Sequence, residues 1–85
     1  MKKNVLVTLY VEVEVDDEKY TPEFMEDFRQ SMYAFTSIDD HIKHLAQMYA
    51  RNIVENRSFI EGYGHTDEMG ISFAAKGGEE EIINF

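Results

Sequence analysis

The groups of this 85-residue chain that could do chemistry are three histidines, seventeen carboxylates and eleven phenylalanine or tyrosine rings. His41 and His44 are three apart in a segment patterned as a helix, a spacing that lets two imidazoles point to one metal. His65, Asp67 and Glu68 lie in a glycine-bounded loop and add candidate ligands. A plainer reading competes with this one. A helical wheel sets His41 beside Leu45 and Met48 at the core margin and turns His44 to the polar face near Arg51. With no third ligand in register, His41 and His44 are weak metal candidates, and no cofactor is implied. No serine sits in a nucleophile elbow, and no pair of carboxylates is singled out for acid–base work. Gly62-Tyr63-Gly64 and Gly77-Gly78 lack the lysine and helix start of a phosphate loop, so they read as turns or bulges. No catalytic residue emerges, and the expectation is a protein that is not an enzyme.

The absence of cysteine excludes disulfides, thiolate chemistry and cysteine zinc sites. Seventeen acids against eight bases leave a net charge of −9. That opposes direct binding to nucleic acid or to an anionic membrane, both of which call for a basic surface. The acids are clustered. Residues 12–27 hold eight of them and one lysine, residues 39–57 balance three acids with three bases, and residues 58–85 hold six acids and one lysine. The apolar run Val5 to Val11 meets Glu12 and Glu14 with no small-residue cleavage site behind it. No stretch approaches the roughly 18 apolar residues of a membrane helix, so a soluble, cytoplasmic chain is expected.

The elements that must position these groups follow from periodicity. Val5, Val7, Leu9, Val11, Val13 and Val15 alternate with Leu6, Thr8, Tyr10, Glu12 and Glu14, which predicts a strand. Its first half is apolar on both faces, which suits a strand that starts deep in a sheet and runs out to solvent. Thr21-Pro22-Glu23 is a helix start, with Tyr20 and Met25 placed as a hydrophobic staple. Phe24, Phe28 and Phe35 then share a face, predicting a helix to about Phe35. Ser37 restarts the pattern; Ile38, Ile42, Leu45, Tyr49 and Ile53 carry it toward a stop at Asn56. Asp39–Lys43, Asp40–His44 and Arg51–Glu55 fall four apart as potential surface pairs. Ser58 to Tyr63 and Met69 to Lys76 read as strands joined by the loop Gly64 to Glu68. Gly77-Gly78 reads as a turn, and Ile82 to Phe85 as a short edge strand. The whole is one α+β domain over residues 1–85, two-layered, in the order β-α-α-β-β. An antiparallel sheet carries both helices on one face.

The other face of that sheet would carry Leu6 and Tyr10, with Ile60 or Phe73, and Tyr63 is a candidate for the same side. Apolar groups on an uncovered face mark a dimer or partner surface, unless the last segment folds over them. Tyr33 falls opposite the apolar face of its helix. Exposed tyrosines next to carboxylates suit protein binding, because they bury area at little entropic cost. The predicted partner-binding set is therefore Glu12, Glu14, Asp16, Asp17, Glu18, Glu23, Glu26 and Asp27, with Tyr10 and Tyr33. The competing account of the acids is solubility and protection of strand edges.

Two function classes follow. Small size, lack of cysteine, clustered acids and the opening LVTLYVEVEVDDEKYTPEF give the first its character. In these respects the chain resembles small acidic accessory proteins of phages and mobile elements, such as anti-CRISPR proteins and other DNA mimics. That resemblance implies a stoichiometric inhibitor or modulator engaging a basic, nucleic-acid-binding surface of a host complex such as a CRISPR effector. It assigns no individual residue. The second class is a structural or assembly module that homodimerises through an open sheet face or the strand edge Val11 to Val15, its acids serving only solubility.

Overall fold

A computed structural model describes residues 1–83. Strand β1 (Asn4–Glu14) leads through a 3-10 turn (Asp17–Lys19) into helices α1 (Pro22–Ser31) and α2 (Ile38–Ala50). Two short strands follow, β2 (Phe59–Ile60) and β3 (Gly64–His65), then a single-turn helix α3 (Thr66–Met69) and the long strand β4 (Ser72–Ile83). β1 and β4 form a two-stranded antiparallel ribbon with the helices on one side, and β2 pairs with β3. The expected α+β class holds, with fewer strands in the main sheet and more elements after α2.

Both long helices start where their caps dictate. Thr21 Oγ1 accepts from the Phe24 N–H at 3.1 Å, and Pro22 takes the first helical position. Ser37 and Asp40 close a capping box, and Asp40 Oδ2 also accepts from the Thr36 N–H at 3.0 Å. Both helices end sooner than their apolar periodicity suggests. α1 stops at Ser31, not near Phe35, because the chain folds back after Met32. Tyr33 then stacks on Phe35 and Phe35 on Phe28, each at 5.5 Å, and Arg29 Nη1 donates to the Phe35 carbonyl. α2 stops at Ala50, because Asn52 adopts φ +58° and the Ile53 N–H reaches back to the Met48 carbonyl at 2.9 Å. That is a Schellman ending with asparagine in the usual glycine position.

Asn56, expected as the helix stop, has a different task. Its side chain accepts from the Phe73 N–H at 2.8 Å and donates to the Phe73 carbonyl at 3.0 Å, as a neighbouring strand would. None of the three expected surface pairs on α2 closes among the described residues. Asp40 is committed to its cap instead. The predicted strand Ser58 to Tyr63 shrinks to β2, and the loop Gly64 to Glu68 becomes β3 and the start of α3. Gly77-Gly78 is not a turn: it lies inside β4 at a bulge between the Leu9 and Val11 pairings. A Cβ on Gly78 would meet the Thr8 carbonyl oxygen at 2.5 Å, so the strands approach this closely only at glycine. The expected edge strand is the continuation of β4, with Ile82 opposite Val5; Asn84 and Phe85 lie outside the described residues.

The core consists of Tyr20, Phe28, Leu45, Ile60, Tyr63, Ile71 and Phe73, flanked by Val11 and Val13 of β1 and by Val15 just after it. Ile60, Phe73 and Tyr63 are thus buried, not displayed on an open sheet face. Tyr49 stacks on Phe73 at 4.8 Å. β1 runs in the opposite sense to that expected: its second half is packed, and its first half leaves the body. Val5, Leu6 and Val7 are 50%, 49% and 66% exposed. The helices cover only one end of the ribbon, which gives the molecule extents of 51 × 24 × 18 Å.

Urea unfolding should rank two variants. Phe28→Ala empties the centre of the aromatic cluster and is expected to cost about 3–5 kcal/mol. Asn56→Ala strips two hydrogen bonds from the β4 backbone and is expected to cost about 1–3 kcal/mol. A Phe28→Ala loss below about 1 kcal/mol would place the core elsewhere.

Candidate protein-binding surface

The acidic residues follow the chain from the end of β1 into α1. Alternation along β1 puts Glu12 and Glu14 on the face away from Val11 and Val13, opposite Ala74 and Ser72 of β4. Both are exposed, as are Asp17, Glu18, Glu23, Glu26 and Asp27. Asp16 is half-buried and has a structural task. Its Oδ1 accepts from the Glu18 N–H at 3.1 Å, and its Cβ lies so close to Gly70 that a Cβ there would approach within 2.6 Å. Gly70 also holds φ +65°, so this approach is reserved for glycine.

Charge compensation divides the set. Arg29 pairs with Glu26 at 2.7 Å, and the hydrogen bonds from Arg29 and then Gln30 hold the Glu26 carboxyl below its ordinary value. Lys76 lies 3.8 Å from Glu12 across the ribbon. Glu14, Asp17, Glu18, Glu23 and Asp27 have no ion-pair partner among the described residues. The packing of Gly70 on Asp16 brings α3 to the same end of the molecule, with Asp67 and Glu68 exposed on it. Sequence reasoning considered those two only as metal ligands, because nothing local shows that the loop returns to the β1–α1 junction.

The tyrosines sit apart from the uncompensated acids. Tyr33 is half exposed beside Phe35 and His44, in a groove of about 520 Å³ that Lys43 and Arg51 also line. Tyr10 lines a second groove, of about 360 Å³, with Leu9, Lys43, Ala46 and Ala50. Lys43 and Gln47 border both, so the two tyrosines flank one strip of α2 that carries Lys43, with Arg51 at its end.

The three histidines occupy different surroundings. His41 has no exposed surface and is ringed by Tyr20, Phe24, Phe28, Phe35 and Tyr63, with centroids 4.6–5.8 Å away. Its Nδ1 shares a 2.7 Å hydrogen bond with Tyr63 Oη. His44 meets Tyr33 and Phe35 edge-on, and His65 Nδ1 accepts from the Asp67 N–H at 3.3 Å. Among the described residues no group of three or more His, Asp or Glu is placed to hold a metal ion. Nor, among those residues, is any helix long and apolar enough to cross a membrane. Compared with protein-family models, curated proteins and solved structures, the chain matches none of them.

Burial, followed by the nearby His44 charge, pushes the His41 pKa below its ordinary 6.5, with Asp40 opposing and Arg29 reinforcing the shift. Burial lowers His44 as well. Burial raises the phenol of Tyr63, and that of Tyr20 to about 12, so both stay neutral at ordinary pH. The unfolded chain therefore takes up protons near pH 6.5, at His41 and His44, that the folded chain binds only at lower pH. Stability is fully present above pH 6.5 and falls as pH drops toward the lowered folded values. Thermal melts from about pH 7.5 down to about pH 5 should show this decline, and His41→Phe should flatten it. An unchanged slope in the variant would assign the decline to other groups.

Proposed function

We propose that this chain is a non-enzymatic, acidic protein-binding inhibitor or modulator. Its target is a basic, nucleic-acid-binding surface of a host complex such as a CRISPR effector, and it acts in the cytoplasm as a product of a phage or mobile element. One observation supports this above the others: Glu14, Asp17, Glu18, Glu23 and Asp27 are exposed on consecutive elements and lack ion-pair partners among the described residues. Carboxylates left uncompensated in this way create a negative field that steers and orients a cationic partner. Carboxylates serving solubility alone are more often interspersed with bases, as they are along α2. A second reading, a structural module that homodimerises, is favoured by the uncovered first half of β1.

Affinity capture from the native cell lysate at about 50 mM and about 500 mM salt changes the screening length several-fold and so weighs the electrostatic share of binding. A basic protein recovered at low salt and lost at high salt should release labelled DNA when the chain is added. The variant Glu14→Lys/Asp17→Lys/Glu18→Lys/Glu23→Lys should neither capture that protein nor release DNA, with its melting transition retained. Recovery of the chain's own copies alone, insensitive to salt, would replace inhibition by assembly.

A further inference from the structure

We propose that two copies of the chain join through the outer edges of β1, centred on Val7, to make a four-stranded antiparallel sheet in the order β4-β1-β1-β4. This inference does not depend on the acidic surface binding a partner.

The starting point is a segment that lacks what a ribbon needs. From Asn4 to Thr8, paired with Glu79 to Ile83, two strands project beyond the helices, and Leu9 and Tyr10 follow where the ribbon meets α2. Val5, Val7 and Leu9 occupy one face, Leu6 and Tyr10 the other, and all five are exposed. A two-stranded ribbon without a covering layer is marginal in water; a third or fourth strand makes it stable.

The two edges of the ribbon are not equivalent. β4 is guarded by the Gly77-Gly78 bulge, by Glu79, Glu80 and Glu81, and nearer the body by the Asn56 side chain on the Phe73 backbone. These are the usual means of keeping another strand away. The first eight residues of β1 have none of them. Asn4 to Val11 contains no charge, proline or glycine, and its outer edge pairs with no strand among the described residues. An uncharged, β-branched edge of this length is open to strand addition.

Charge selects a second copy as the occupant. Directly opposed residues in antiparallel strands share a face, so two β1 strands keep their apolar sets together only in a register that opposes odd with odd and even with even. The exposed stretch Asn4 to Tyr10 is centred on Val7. Pairing about Val7 sets Val5 against Leu9 and Leu6 against Thr8, and brings Lys2 of each copy opposite Glu12 of the other. The basic residues that precede the strand thus meet its acidic end twice, related by the two-fold axis, as the pairing extends past Asn4. In the single chain, among the described residues, the only cation near Glu12 is Lys76 at 3.8 Å.

Sedimentation equilibrium should find a dimer of the wild-type chain. Val7→Lys places like charges face to face at the axis, on a side chain already two-thirds exposed, and should weaken the dimer by at least about tenfold with the helical circular dichroism unchanged. Lys2→Glu and Glu12→Lys should each weaken it a few-fold, and an equimolar mixture should recover wild-type affinity as a heterodimer. Since the chain has no cysteine, Val7→Cys in the otherwise wild-type background gives a second readout: mild oxidation should cross-link it rapidly, and Glu80→Cys slowly. A wild-type monomer at high concentration overturns the proposal. So does a dimer that Val7→Lys leaves intact, or one that cross-links through residue 80 in preference to residue 7.

Discussion

The packing of Phe28 against the His41 ring is the contact on which the rest of the body depends. Their centroids lie 4.6 Å apart in an edge-on arrangement, and Phe28 also meets Phe24, Phe35 and Tyr63 within 6.0 Å. Those rings come from α1, the α1–α2 connection, α2 and the Gly62–Tyr63 segment, so one residue holds four parts of the chain together. Gly62 follows from the same contact: with φ +89°, a Cβ there would come 2.8 Å from Phe28 Cε2. Edge-on aromatic pairs add about 0.5–1.5 kcal/mol each beyond the area they bury. In a domain this small that increment is a sizeable share of the total stability.

That core has a polar centre. His41 Nδ1 is satisfied by Tyr63, while His41 Nε2 and Tyr20 Oη are buried without hydrogen-bond partners among the described residues. Each orphan atom costs about 1–3 kcal/mol relative to a satisfied one. The arrangement holds because the histidine is neutral, and the rings that desolvate it are the ones that keep it so. Stability and protonation are thereby tied to the same group of side chains.

Charge and apolar surface are segregated along the chain. The uncompensated carboxylates surround the β1–α1 junction, the cations Lys43 and Arg51 line α2, and the bare strand Asn4 to Tyr10 extends from the far side of the ribbon. Joining two copies along that strand would leave Glu14, Asp17, Glu18, Glu23 and Asp27 of both copies free, because the pairing ends at Glu12. Inhibition through the acids and assembly through the edge are therefore compatible in geometry.

Local chemistry determined the helix starts, the strand over residues 4–14 and the concentration of acids between Glu12 and Asp27, because a cap, a period of two and a charge count need no distant partner. The stop of α2 at Asn52 was also written locally, in a residue that tolerates positive φ, although apolar periodicity through Ile53 obscured it. Tertiary structure decided the rest. Whether Phe35 continues a helix or folds back depends on Phe28, and whether Gly77-Gly78 turns or bulges depends on the Thr8 carbonyl across the ribbon. Asn56 reads as a helix stop until Phe73 lies beside it. His41 reads as marginal on a helical wheel because the wheel knows nothing of Tyr63, 22 residues on. The direction in which β1 leaves the body could not be read from its valines, since an apolar strand looks the same whether its cover comes from its own helices or from another chain.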